Sequence, residues 1–149
     1  MSQPIKLVDL VDQRLLKFLA ERTAELEAIS PELEHVTDYV QGLLGSGKRF
    51  RARFCYWGWR SIGEASDAAD VLGGVETLDD VEGVLALAMS LEVFHAAALV
   101  HDDIMDNSDT RRGKPSAHKA FESFHTAQSF AGDAPLFGRS TALLVGDLL

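Results

Sequence analysis

The chain has 149 residues, of which 46% are hydrophobic and 25% charged, and its net charge is −9. This composition indicates a globular helical domain, or part of one, and the acidity argues against a nucleic-acid partner, which needs a basic surface. A single cysteine excludes an internal disulfide, no secretion signal is recognisable, and no apolar run approaches the ~20 residues of a membrane span, so we predict a cytoplasmic protein.

Helices are predicted from the first part of the chain onward. Apolar residues at helical spacing predict a first helix over 7–29. Ser30 and Pro31 are typical of a helix start and predict a second helix that runs to about Leu44. After a glycine-containing loop, a third helix is predicted over 50–62.

The remaining elements are also predicted to be helical. Beyond a connector at 63–76, Thr77 and Asp80 imitate a capping box for a long helix that ends at a group of aspartates. A short helix and a loop are predicted within 121–136, and another apolar helix from 138 onward. No alternating strand pattern is visible, so the predicted fold class is all-α.

Acidic side chains end the long helix, in the sequence HDDIMD at 101–106. Asp102 and Asp106 stack on one helix face, and His95 lies two turns back on nearly the same line. Two carboxylates together with substrate phosphates suit Mg²⁺. Arg111 and Arg112 follow and could bind the same phosphates with their planar forks. A merely solvated acidic end is the alternative, but it is unfavourable at the negative end of the helix dipole.

A basic segment lies at residues 46–60, which hold five positive charges and no acid, whereas residues 61–106 hold eleven acids and no Lys or Arg. Lys48, Arg49, Arg51 and Arg53 follow a glycine loop that leads into a helix, a junction suited to an anion. The spacing does not match a Walker loop. A second phosphate site and an ordinary solvated turn both remain open at this point.

Four ordered motifs then resemble one family: GKRFR at 47–51, His95 seven residues before DDIMD, DTRRGKP at 109–115 and GRSTALLVGD at 138–147. The chain resembles the trans-isoprenyl diphosphate synthases, or polyprenyl synthetases, and among them the geranylgeranyl diphosphate synthases. This resemblance implies an all-α bundle around a central cavity. It matches only the N-terminal half of the family, because the second aspartate-rich motif is missing. We therefore expect 1–149 to be the N-terminal half of a single domain, inactive by itself, and its C-terminus to be cut.

The resemblance also implies roles for individual residues. Asp102 and Asp106 would hold Mg²⁺ on the diphosphate of an allylic primer, and Arg111 would bind that diphosphate. The diphosphate of isopentenyl diphosphate would be bound by Lys48, Arg51, His95 and Arg112. The implied reaction is metal-dependent ionisation, condensation and proton loss, which lengthens the primer by one five-carbon unit. The family usually forms homodimers.

Product length is partly predictable, because the growing tail in this family runs beside the helix before the first aspartate motif. Ala97 and Ala98 leave room there, and Phe94 lies one turn further, about 5.4 Å. We predict arrest near twenty carbons, which would give geranylgeranyl diphosphate, with Phe94 as the floor. Ala52 departs from the proline that the family commonly has at this position.

Three other functions would use some of the same residues. A terpene cyclase shares the aspartate motif but has no need of GKRFR or Arg112. A metal-dependent phosphohydrolase would need further metal ligands upstream, where only His95 is available. A non-catalytic subunit of a heteromeric prenyl synthase would have no reason to keep the binding motifs.

Overall fold

The computed structural model describes residues 7–45, 47–62 and 78–149, and side chains within them except at 62 and 78–81. The helices of the first part are α1 (Leu7–Ile29), a 3₁₀ turn (Pro31–Leu33), α2 (Glu34–Leu44), α3 (Phe50–Ile62) and α4 (Leu78–Met105). A hairpin of β1 (Thr110–Arg111) and β2 (Lys114–Pro115) follows, and then α5 (Ala117–Ala127) and α6 (Ala134–Leu148). The all-α prediction is confirmed.

Several boundaries differ from the sequence predictions. The second helix begins as a 3₁₀ turn, and Ser30 makes no side-chain cap bond to it. The short helix α5 starts at Ala117, earlier than predicted. Helix α6 also starts earlier, where Asp133 accepts a hydrogen bond from the Leu136 amide at 2.9 Å. The connector and the Thr77–Asp80 capping box lie outside the described residues or side chains.

Two compact units divide the chain, Met1–Val93 and Phe94–Leu149. In the first unit the apolar stripe of α1 is buried from Leu7 to Leu19, whereas Ile29 at the end of the helix is exposed. Tyr56 of α3 is also buried, with 1% of its surface exposed. The buried members of the stripe are Leu7, Leu10, Val11, Leu15 and Leu19.

The second unit depends on a close approach between α5 and α6. Gly138 of α6 is buried, and a Cβ atom added there would lie 2.3 Å from the carbonyl oxygen of His118 in α5. Only glycine permits two backbones to come this near. Phe121, Ala142 and Val145 are buried in the same unit.

One described stretch, Glu82–Met105 in α4, is long and apolar enough to cross a membrane by length and composition alone. The expectation that no apolar run approaches that length was therefore wrong. A buried core helix passes the same test, so this property of α4 does not distinguish a membrane-spanning helix from a core helix.

Candidate active site

Two exposed carboxylates lie at the end of α4. The Asp106 amide donates to the Asp102 carbonyl at 2.8 Å, so the two residues are one helical turn apart. Within the described part of the chain, no group of three or more His, Cys, Asp or Glu side chains could hold a metal ion. The exposed pair nevertheless suits Mg²⁺, which binds one or two carboxylates and takes its other ligands from water and phosphate.

The aspartate between them has a different environment. Asp103 is only 2% exposed, and both of its oxygens accept hydrogen bonds from Arg111. The Nε and Nη2 atoms of Arg111 each lie 2.8 Å from a carboxylate oxygen, and Nη2 also lies 3.4 Å from Asp102. These bonds, those to Asp103 above all, raise the pKa of Arg111 above its ordinary value, so the residue is a cation at every working pH.

Sequence reasoning did not assign a role to Asp103. A signal was available, because Ala96, Val100 and Asp103 follow helical spacing and all three are buried. An aspartate in register with an apolar stripe requires a hydrogen-bonding or oppositely charged partner. Arg111, predicted to bind diphosphate, is that partner, and it connects buried Asp103 with exposed Asp102. Its predicted contact with diphosphate stays a prediction.

A tight hairpin positions the second predicted arginine. Thr110 pairs with Pro115 and Arg111 with Lys114, which leaves Arg112 and Gly113 as a two-residue turn. Both turn residues have positive φ, 53° at Arg112 and 77° at Gly113, as a type I′ turn requires. Glycine meets this requirement without strain, whereas arginine does not. Arg112 is therefore held, exposed, at the tip of the hairpin.

The histidines near this motif have mostly structural partners. His101 Nε2 lies 3.3 Å from Asp147 Oδ1, and its ring fills the space beside Gly146 of α6. His118 is buried, with Nδ1 3.3 Å from the Ser116 hydroxyl. Both histidines are therefore packing or hydrogen-bonding groups beside the motif. His95 lies half-buried on α4.

The predicted residues of the basic segment belong to the first unit. Lys48 and Arg51 are exposed, and the Lys48 ammonium lies 5.9 Å from the centre of the Phe50 ring. Arg49 is buried and does not belong to the exposed basic surface. The other predicted anion-binding residues, from His95 to Arg112, lie in the second unit.

Comparison with known proteins gives consistent matches. A family model described as polyprenyl synthetase matches residues 30–149. A short chain isoprenyl diphosphate synthase of Methanocaldococcus jannaschii is 42% identical over 48% of this chain and 17% of its own length. A chloroplastic geranylgeranyl pyrophosphate synthase of Capsicum annuum is 32% identical over 83% of this chain and 26% of its own length.

A solved structure resembles the fold as well. It is a geranylgeranyl pyrophosphate synthase from Corynebacterium glutamicum, complexed with isoprenyl diphosphate and magnesium. The TM-score is 0.75 at 34% identity, over 99% of this chain and 39% of the other. The chain therefore spans well under half the length of these relatives. Its helices have the isoprenoid-synthase fold.

Proposed function

The chain belongs to the polyprenyl synthetase family, and we therefore propose that the protein is a trans-prenyltransferase. It would join isopentenyl diphosphate to an allylic diphosphate. The allylic C–O bond breaks and diphosphate leaves with the bonding electrons. The isopentenyl double bond attacks the cation, a proton is lost, and the product is longer by five carbons.

The observation that carries this proposal is the arrangement at the end of α4. Asp102 and Asp106 expose two carboxylates one turn apart, and Arg111 is held beside Asp102 by buried Asp103. Mg²⁺ bound there would stabilise the charge that develops on the leaving diphosphate. Arg111, ordered by its two hydrogen bonds to Asp103, would place a permanent cation beside the same oxygens.

Isopentenyl diphosphate keeps its own diphosphate during the reaction, so its binding needs cations but no metal. We assign this role to exposed lysine and arginine side chains and to His95. Charge-assisted hydrogen bonds from such groups would hold the nucleophile in line with the primer, which supplies much of the acceleration. The assigned residues are Lys48, Arg51, His95 and Arg112.

The proposed product is geranylgeranyl diphosphate. Phe94, Ala98 and Asp102 are spaced by four residues along α4, and all three are exposed. They therefore share one helix face, on which the carboxylate is followed by a small side chain and then by an aromatic ring with 72% exposure. A tail that grows along this face from Asp102 would meet Phe94 eight residues away, at about 12 Å.

The test is a product assay on the protein at its natural length, with isopentenyl diphosphate, an allylic diphosphate and Mg²⁺. Elongated allylic diphosphates should appear only when both substrates are present. Consumption of the allylic substrate alone, with release of hydrocarbon, would favour a terpene cyclase and overturn the proposal. Binding of both substrates without any product would favour the non-catalytic subunit.

A further inference from the structure

Arg49 lies between the two cations of the first unit to which the proposed function assigns a diphosphate, yet its own side chain is buried. Only 5% of Arg49 is exposed, whereas Lys48 and Arg51 are both exposed. Burial of a charge is costly unless hydrogen-bonded partners compensate for the lost water. The partners of this guanidinium therefore indicate what the residue does.

The guanidinium joins α1 to the end of α2. Its Nε donates to Asp12 Oδ1 at 2.7 Å, and its Nη2 donates to the Leu44 carbonyl oxygen at 2.6 Å. Leu44 is the last residue of α2, where carbonyl groups have no partner within the helix. A rigid fork of donors can satisfy both acceptors at once, which a single ammonium group cannot do in the same way.

The backbone of Arg49 begins α3. Its carbonyl oxygen accepts the Arg53 amide at 2.9 Å, which forms the first turn of the helix. Its φ is +50°, in the left-handed region where residues other than glycine are strained. Such strain persists only where the surroundings determine the conformation, and it is often found at functional sites. Lys48 precedes this residue directly, and Arg51 follows it in the first turn of α3.

A second buried charge holds the same helix start. Glu92 of α4 is 7% exposed, and its Oε1 accepts the Ala52 amide at 3.1 Å. A carboxylate at this end of a helix is favourable, because the amides there carry partial positive charge. The proline that the family commonly has at this position would offer no amide for the bond. Contacts from α1, α2 and α4 thus fix the start of α3.

We infer that Arg49 is a positioning residue for isopentenyl diphosphate. It acts through Lys48 and Arg51, because its buried guanidinium sets the conformation of the loop that carries Lys48 and of the start of α3, which carries Arg51. This inference rests on the proposed function, which alone assigns a diphosphate to those two cations. Loosening of the loop would reduce the population of the binding arrangement, so the apparent affinity falls while the chemical step is unchanged.

The experiment uses Arg49→Lys and Asp12→Asn in the protein at its natural length. Each variant should raise KM for isopentenyl diphosphate about tenfold, with kcat and the allylic KM within twofold of wild type. Arg53→Lys is the matched control, since Arg53 is an exposed arginine of α3 and is not among the four residues assigned to isopentenyl diphosphate. It should leave all three parameters unchanged. In the double variant Asp12→Asn, Arg49→Lys, KM for isopentenyl diphosphate should rise much less than the two single effects combined. Both substitutions remove the same contact, the one between Arg49 and Asp12.

The outcomes separate this inference from the proposed function. A wild-type KM for isopentenyl diphosphate in both single variants overturns the inference. So does an equal rise in both KM values, because the effect is then not confined to the isopentenyl diphosphate site, and so does a fall in kcat alone, because this indicates a loss of folded protein. If wild type makes no product, the proposed function fails, and calorimetric titration with isopentenyl diphosphate still tests the inference. Weaker binding by Arg49→Lys, with Arg53→Lys at wild-type affinity, would then support it.

Discussion

Asp102 and Asp103 of α4 differ in burial, so substitution of one should affect activity and substitution of the other should affect stability. Asp103→Asn removes the charge that pairs with Arg111 in a buried position, so it should lower the free energy of unfolding by about 2–3 kcal/mol. Asp102→Asn changes an exposed residue and should stay within about 0.5 kcal/mol of wild type, while kcat falls at least about a hundredfold. Denaturant melts and steady-state rates measure the two effects. Equal losses of stability would contradict this division.

Arg112 combines an unfavourable backbone conformation with an exposed charge. Asn is among the residues that best tolerate positive φ at this position of a type I′ turn. Arg112→Asn should therefore keep at least wild-type stability in thermal melts, while KM for isopentenyl diphosphate rises about tenfold or more. Lys114→Asn removes a cation from the same hairpin and should leave KM within twofold. If both variants weaken binding equally, the effect is one of net charge and not of Arg112.

At the scale of elements, the contact between α5 and α6 depends on one residue without a side chain. Gly138→Ala would place a methyl group against the His118 carbonyl and the Glu122 amide, so the helices must separate. We expect a loss of about 1–3 kcal/mol in the free energy of unfolding. Gly42→Ala is the control, because nothing lies within 4 Å of its added Cβ and alanine favours helix by about 0.8–1 kcal/mol. Denaturant melts should show a lower free energy of unfolding for Gly138→Ala and a higher one for Gly42→Ala.

The exposed face of α4 gives a prediction about product length. Phe94→Ala removes the proposed floor and should shift the product beyond twenty carbons. Ala98→Phe brings an aromatic ring one turn, about 5.4 Å, nearer to Asp102 and should shorten the product by one five-carbon unit. Chromatography of the hydrolysed products measures both. An unchanged product in Phe94→Ala would place the floor elsewhere, and Arg53→Lys serves as a variant outside this face.

At the scale of the whole molecule, the two diphosphates should differ in their need for metal. The chain carries a net charge of −9, and exposed Asp102 and Asp106 repel a diphosphate unless a cation lies between them. Chelation of Mg²⁺ should abolish binding of the allylic diphosphate and change the affinity for isopentenyl diphosphate by less than about threefold, since its assigned partners are cations. Equilibrium dialysis of each substrate with and without EDTA measures this. Equal losses of affinity for the two substrates would contradict the expectation that isopentenyl diphosphate binds without metal.

Much of the fold followed from periodicity, and much of the finer arrangement did not. The predicted limits of α1 and α3 agree with the structure, because an apolar stripe and a preceding loop mark them. The hairpin was missed, since strands of two residues are too short to show alternation, although the glycine after Arg112 is a turn signal. Assignment of the domain as an N-terminal half, the homodimer and the cytoplasmic location stay predictions.

Within the candidate site, the sequence likewise did not show which residue of an adjacent pair is buried. Lys48 and Arg49 are adjacent cations, and composition cannot tell which is exposed, because that depends on a left-handed turn and on a partner in α1. Asp102 and Asp103 likewise differ only through the face of α4 on which each lies. Motifs identified the segments that carry the chemistry, whereas long-range contacts decided which member of each pair is buried.

Because the hairpin turn has only two residues, the position of each arginine along the segment determines its role as much as its chemical identity does. Arg111 lies on a strand and reaches the carboxylates, whereas Arg112 begins the turn, so a difference of one position separates an internal partner from an exposed cation. Insertion of a single glycine before Arg111 would keep every charge of the segment, yet it would move Arg111 from the strand into the turn and displace Arg112 by one position. A count of basic residues would not detect such a change, although both of their assigned roles would be lost.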